Sequence, residues 1–417
     1  MSTGSRQHEG ETYLEIVWRQ FRKNTPAYVA LWLLAPVFLV AIFAPLIASD
    51  RPVIFTDGEQ QIYPWLYSFF TPGSFVDFLF NMSLLAFVPT VLAGLIINRE
   101  LRKREIPGPQ RSLAIAAFFV CLTLLFVGLF SLPGLRFKNP YSSRTFPQEE
   151  FRSSTASGWY VPIPFGPTEP DIDVGFKAPL FQKASESWKE TNDGFVHILG
   201  TDANGRDVLT QMIYGTRISM TVGFVAVSLY ITIGVVLGAI AGYFGGITDM
   251  AISRVIEIVL LFPSFFLILT LVALLGPSIF IIMFVIGITG WPTIARLTRG
   301  EVLKQRAIDY VQAARAVGAG HWRIIFRHIL PNSLSPALVA APFGIAGAII
   351  TEAGLSLLGF GVQPPAPSWG TLLKQGNGNY SYWWLVLVPS VAIFICVTLF
   401  NLVGNGLRDA MDPRLRV

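Results

Sequence analysis

Charge is scarce in this chain. Of its 417 residues, 14% are Asp, Glu, Lys or Arg, against about 25% in an average soluble protein. A soluble fold with 52% hydrophobic residues could not clothe its surface in charge. High hydrophobicity equally excludes a disordered chain. Cysteine is nearly missing: Cys121 and Cys396 both sit inside apolar runs. That excludes a disulfide scaffold and suits packed or lipid-facing thiols. The histidines are His8, His197, His321 and His328. All lie outside apolar runs, and none has zinc-ligand spacing with cysteine. No G-x-x-x-x-G-K-S/T run occurs, so the chain carries no P-loop for ATP.

Apolar length is abundant, with a mean hydropathy of +0.54. A bilayer core of about 30 Å takes roughly 20 helical residues. Spans are expected at 24–49, 78–98, 112–135, 218–248, 329–351 and within 375–407. The charge-free run 258–295 is too long for one crossing, and Gly276-Pro277-Ser278 divides it in two. The total is eight spans in an all-α polytopic membrane protein, with both ends on one side.

Lys and Arg number 31 against 26 acids. With the N-terminus inside, the tails and inner loops take most of the basic residues, while the short outer loops hold only Arg51 and Lys374. The positive-inside rule therefore places both termini in the cytoplasm and accounts for the basic balance without nucleic acid. The polar first 26 residues and the long run after them fit a retained first span better than a cleaved signal. The resulting map has a cytoplasmic tail at 1–26 and a first transmembrane helix at 27–48. A helix pair with a basic cytoplasmic loop covers 75–132, and an outer lobe rich in Pro, Ser, Gly and aromatics covers 136–217. A transmembrane core follows at 218–407, holding an inner loop at 296–333, and a cytoplasmic tail at 408–417 ends the chain.

Three blocks carry specific signals. The inner loop contains Asp309-Tyr310-Val311-Gln312-Ala313-Ala314-Arg315-Ala316-Val317-Gly318, with Ile329-Leu330-Pro331-Asn332 eleven residues later. It reads as a short helix, a glycine-permitted break and an amphipathic helix returning to the membrane. Ala313 and Ala314 would let a partner approach the backbone, and Tyr310 and Val317 could fill an apolar groove. An ordinary cytoplasmic helical hairpin fits the same residues. The outer block runs Leu199-Gly200-Thr201-Asp202-Ala203-Asn204-Gly205-Arg206-Asp207-Val208. Its acids resemble a calcium loop, but the twelfth residue from Asp202 is Ile213, where a glutamate is needed. A capped turn fits better. Thr201 or Asp202 accepts backbone N–H groups and Asp207 favours a helix start. The apolar stripe Val208, Leu209, Met212 and Ile213 suits a helix lying on the outer membrane surface. The third block is Glu352-Ala353-Gly354-Leu355-Ser356-Leu357-Leu358-Gly359-Phe360-Gly361, followed by Pro364, Pro365, Pro367, Ser368, Trp369 and Gly370.

Gly344, Gly347 or Ala348, and Thr351 recur at three-to-four spacing, which suits close helix packing and also makes Gly344, Gly347 and Thr351 candidates for a pathway. Glu352 would bind a solute amine or bond to the backbone of the following turn. Glu257 is expected to pair with Arg254. A secondary transporter would need ionisable residues at membrane depth, and 258–295 has none. An intramembrane protease using Ser356 would need a basic partner there.

Together the blocks resemble the permeases of the dipeptide, oligopeptide and nickel ABC importers, and the second, C-type permease in particular. The likeness runs continuously over 197–417. Ala48-Ser49-Asp50-Arg51-Pro52 and the aromatic-proline lobe resemble the YejE-like branch. The resemblance implies a type I importer permease core of six helices, to which the pair at 75–132 is extra. It implies that Tyr310, Gln312, Ala313, Ala314, Arg315, Val317 and Gly318 form the ATPase-coupling segment. The family motif begins Glu-Ala-Ala, and Gln312 stands in the glutamate's place. Thr201, Asp202, Gly205, Arg206 and Asp207 would serve docking of a binding protein or an outer gate. Gly344, Gly347, Thr351 and Glu352 would serve the pathway. Implied partners are a homologous second permease, two ATPase subunits or one fused ATPase, an extracytoplasmic solute-binding protein and membrane lipid. ATP and Mg would reside on the ATPases, with no cofactor on this chain and no catalysis by it. The cargo would be di- or oligopeptides or peptide antibiotics, with nickel, haem or another small solute as the alternative. The location would be a bacterial inner membrane.

Overall fold

A computed structural model describes residues 13–57, 60–104, 106, 108–132, 139–140, 156–182 and 196–412. In chain order, helix α1 (Tyr13–Lys23) and helix α2 (Thr25–Ile47) precede strands β1 (Ile54–Asp57) and β2 (Gln60–Ile62). Helices α3 (Pro64–Phe70), α4 (Phe75–Lys103) and α5 (Gly108–Ser131) follow, then strands β3 (Ala156–Trp159), β4 (Phe181–Gln182) and β5 (Val196–His197). Helices α6 (Val208–Phe244), α7 (Gly246–Leu261), α8 (Ser264–Leu275) and α9 (Ile279–Arg306) lead to α10 (Asp309–Ala316). Helix α11 (His321–Arg323), a π turn (Ile324–Ile329) and α12 (Leu330–Ser333) form one widened helical stretch. Helices α13 (Ser335–Leu357), α14 (Trp369–Gly376) and α15 (Trp383–Met411) complete the chain.

Among the described residues, seven helices are long and apolar enough to cross a bilayer. The pair α7–α8, bent by 86°, makes an eighth crossing when its arms are taken as one span. The bend falls at Phe262-Pro263, where proline cannot continue a helix. Gly276 supplies the expected second break with a φ of +96°. Thus two punctuation marks act where one was expected.

Helix α6 departs from expectation. Residues 208–217 form no separate surface helix; they are the first turns of a 37-residue helix about 56 Å long. That exceeds the roughly 30 Å hydrocarbon core. No proline interrupts it, and its stripe Val208, Met212 and Ile213 is buried against protein.

Two compact units share the chain. The first draws on described residues within Met1–Gln20, Ala35–Ile218 and Pro364–Ser390, the second on Phe21–Leu34, Ser219–Gln363 and Val391–Val417. In the first, β1 pairs antiparallel with β2 and with β3. The α4–α5 pair is therefore inserted between strands of one sheet. Phe69, Met82 and Leu84 form its core with Phe43, Phe78 and Phe130 around them. Ser74 caps α4 by accepting N–H bonds from Val76 and Asp77. A fully buried guanidinium secures the pair. Arg217 donates to Asp77 Oδ1 at 3.0 Å and to the Ala41 carbonyl at 2.7 Å, while Tyr214 and Phe80 present their rings to it.

In the second unit, Gly234, Gly238 and Gly242 repeat every four residues on α6. A Cβ at these positions would meet α9 carbonyls of Trp291, Ala295 and Arg299 at 2.8, 2.5 and 2.8 Å. The repeat lets two helices approach backbone to backbone, as small residues do where lipid offers no hydrophobic drive. Asp249 of α7 and Arg299 of α9 form a two-point ion pair, Nη2 to Oδ2 at 2.6 Å. At the surface Arg254 meets Glu257 at 2.6 Å.

Arg217→Leu should destabilise the purified chain by about 3 kcal/mol or more, because it strands the Asp77 carboxylate and the carbonyls of Ala41, Ile42 and Asp77. Asp77→Asn should cost less, since the amide oxygen still accepts from Arg217. Thermal melting in detergent checks the order; equal melting of both variants and wild type would refute the anchoring role.

Candidate functional site

In the first unit, the turn at 200–207 is built from internal hydrogen bonds. Asp202 Oδ1 accepts from the N–H groups of Asn204 and Arg206, both at 2.9 Å. Its Oδ2 accepts from Arg206 Nε at 2.8 Å and from Gln211 Nε2 at 3.0 Å. A carboxylate with this many donors is satisfied without a metal. Gly205 has a φ of +74°, and a Cβ there would strike the Asp171 carbonyl. Thr201 Oγ1 accepts from Lys177 N and donates to the Val174 carbonyl. Asp207 caps α6, with Oδ2 accepting from Thr210 N at 2.7 Å. Its Oδ1 lies 3.0 Å from His197 Nδ1, and Phe165 stacks on that imidazole at 4.1 Å.

The C-terminal part of the same unit clamps this turn. Trp384 Nε1 donates to the Thr201 carbonyl, and Ala203 N donates to Gln375 Oε1. Trp369 Nε1 donates to the Met212 carbonyl. Thr201, Asp202, Gly205, Arg206 and Asp207 are consequently all buried, and Ala203 and Asn204 are the exposed tip. The five singled out from sequence shape the turn; its outward face belongs to their neighbours.

In the second unit, α10 is mounted on one side chain. Val311 is wholly buried among Ala239, Tyr243, Val302, Ile324, Ile325 and Ile329. Ala314 and Ala319 pack against the same cluster. The helix ends in a Schellman motif: Ala319 N donates to the Ala314 carbonyl and Gly318 N to the Arg315 carbonyl. Gly318 has a φ of +79° with open space around it. It is glycine for its backbone angle, not for room. Pro331 lies one turn beyond Arg327, and its missing N–H and bulky ring account for the widened π turn before it.

Side chains then tie α10 to its surroundings. Tyr310 Oη donates to Gln305 Oε1 at 2.8 Å and accepts from Asn332 Nδ2 at 3.2 Å. Gln312 Nε2 donates to the Arg306 carbonyl at the end of α9, a bond a glutamate could not make. Arg315 lies over the Tyr243 ring at 5.2 Å. Tyr243 Oη and His321 Nδ1 share a hydrogen bond of 2.9 Å. Asp309, Tyr310, Gln312, Ala313, Arg315, Ala316, Val317 and Gly318 are exposed. What α10 leaves outside combines the small residues Ala313 and Ala316 with the charged Asp309 and Arg315. No sequence signal joins Tyr243 to His321, because they lie on different helices 78 residues apart.

The four pathway candidates, all on α13, have different surroundings. A Cβ on Gly344 would collide with Tyr230 Oη, so Gly344 serves packing. Gly347 meets nothing within 4 Å, and Thr351, half-exposed, donates to the Gly347 carbonyl. Glu352 is fully buried. Its Oε1 accepts from Ser356 Oγ at 2.8 Å and its Oε2 from Ser219 Oγ at 3.4 Å. Of the four, Gly347 and Thr351 border open space.

Residues 234–417 match the family described as binding-protein-dependent transport system inner membrane component. Residues 12–68 match the N-terminal TM domain of oligopeptide transport permease C. The dipeptide transport system permease protein DppC of Alkalihalophilus pseudofirmus is 43% identical over 253 residues, 59% of this chain and 83% of the relative. The oligopeptide transport system permease protein OppC of Haemophilus influenzae is 40% identical over 265 residues, 63% of this chain and 80% of the relative. The peptidoglycan transport system permease protein YejE of Agrobacterium fabrum is 30% identical over 403 residues, 95% of this chain and 92% of the relative. That alignment is long enough to include α4 and α5. A helical membrane fold, a short helix mounted on Val311 and these likenesses agree: the chain belongs to the family of binding-protein-dependent transport system inner membrane components, the multi-pass permeases of ABC importers.

Proposed function

We propose that this chain is one of two permease subunits of an ATP-driven importer of peptides, supplied by an extracytoplasmic solute-binding protein. Relatives named for dipeptide, oligopeptide and peptidoglycan transport support the cargo class. The observation that carries the coupling role is α10: a short helix held to its unit by Val311, with Ala313 and Ala316 among its exposed residues. Its exposed face docks in a groove of an ATPase subunit. ATP and Mg belong to a pair of such ATPases, or to one fused ATPase. Closure of the pair shifts α10 as a rigid body, because the Val311 cluster, the Schellman end and the Tyr243–His321 bond move with it. Both termini lie in the cytoplasm, consistent with the basic residues of the inner loop.

On the outer side, Ala203 and Asn204 form the contact with the binding protein, on a turn stiffened by Asp202, Arg206 and Asp207. Gly347 and Thr351 face the pathway between this chain and a homologous permease. Glu352 acts through α13 packing, bonded to Ser219 and Ser356.

The overall reading is tested with the assembled importer in proteoliposomes. Uptake of a labelled oligopeptide should need ATP and the binding protein and persist when a protonophore collapses the gradient; uptake driven by the gradient without ATP would overturn it. Ala313→Trp and Gly318→Val should lower peptide uptake per ATP hydrolysed about tenfold, within the usual range of coupling energies. Unchanged uptake per ATP would sink the docking role of α10. Asn204→Trp should reduce stimulation of ATPase activity by the binding protein about tenfold while basal hydrolysis stays the same. Full stimulation in that variant would remove the turn from the docking surface.

A further inference from the structure

The α4–α5 pair presents a feature that the transport reading does not use. Val88, Leu92 and Leu95 on α4 are each at least half exposed and lie on one helical face. The same three-to-four register continues, without a break, into exposed Arg99 and Arg102. From Val88 to Arg99 is eleven residues, about 16 Å of helix, close to half of a roughly 30 Å hydrocarbon core. An apolar stripe one leaflet long thus ends in cations.

Across the pair, Arg111 Nη1 donates to Asn98 Oδ1 at 3.2 Å and brings a further guanidinium to that end. Lys103 and Arg104 are exposed beside it. Within 99–111 five basic residues face two acids, Glu100 and Glu105, and Glu100 is engaged by Lys103 at 3.1 Å. Among the described residues, little of the neighbouring apolar length of α5 is buried.

From this we infer that the basic end of α4–α5 is a binding site for an anionic glycerophospholipid. Its acyl chain lies along Val88–Leu95 and its phosphodiester is held by Arg99, Arg102 and Arg111. Charge complementarity selects the headgroup, and the leaflet-length stripe distinguishes a lipid from a soluble anion. Each cation near a membrane surface adds about 1 kcal/mol of attraction, or about fivefold in binding.

The test uses the full chain in its assembled complex, purified in a neutral detergent and offered equal amounts of phosphatidylglycerol and phosphatidylcholine. Native mass spectrometry counts the retained lipids. Wild type should retain phosphatidylglycerol in excess. Arg99→Gln with Arg102→Gln should lower that excess at least about tenfold, given two cations removed, whereas Arg99→Lys with Arg102→Lys should keep it. Arg254→Gln, a surface change elsewhere, should leave it unchanged. Inorganic phosphate at the lipid's concentration should not displace the lipid. Equal retention of both lipids by wild type, an unaltered excess in the glutamine variant, or displacement by inorganic phosphate would each overturn the inference. So would a protein partner, rather than lipid, co-purifying through the same arginines.

Discussion

The placing of α10 depends on the burial of one valine. Val311 is the only part of α10 that is fully inside, and its neighbours come from α6, α9 and the π turn. A helix of eight residues has no stability of its own in water, because nucleation is costly and few bonds repay it. Packing supplies what length does not. Ala314 and Ala319 close the C-terminal end over the same cluster, and the Schellman bonds satisfy carbonyls that would otherwise be orphaned. The result is a short element fixed to its base, with Ala313 and Ala316 among its exposed residues.

The turn at 200–207 solves the opposite problem. It is rich in charge, yet its charges point inward. Asp202, Arg206 and Asp207 spend their hydrogen-bonding capacity on backbone N–H groups, on each other and on His197. Buried ion pairs contribute little net stability, since desolvation offsets most of the attraction. They do specify one geometry, and here two tryptophan N–H groups reinforce it from residues more than 150 positions away. Arg217 plays a comparable part for the inserted helix pair, where its five-donor fork reaches α2 and α4 together.

Much of this was legible in the residues. Span positions follow from apolar runs, since nothing else in a chain this poor in charge can bury so much length. The Gly276 break, the Asp207 cap, the Arg254–Glu257 pair and the glycine after α10 are local effects, and local effects can be read from neighbours in sequence. The continuity of α6 was not legible, because its apolar stripe at 208–213 suits a membrane surface and a protein interface equally. The Gly234, Gly238 and Gly242 repeat was visible as a pattern, but its meaning required knowing that α9 lies against it. Tyr243, His321 and Trp384 carry no local signature at all.

The sequence by itself determined that the chain is helical, crosses a membrane repeatedly and carries a small-residue segment bounded by glycine. Periodicity, charge and backbone preference are properties of short stretches, and they act before the chain folds. Tertiary structure alone decided which side chains those stretches keep for themselves and which they leave outside. It buried the acids of the turn at 200–207 and left Ala203 and Asn204 exposed. It set Val311 inward and Ala313 outward on the same short helix. Burial is settled between elements far apart in the chain, so no stretch read alone contains it.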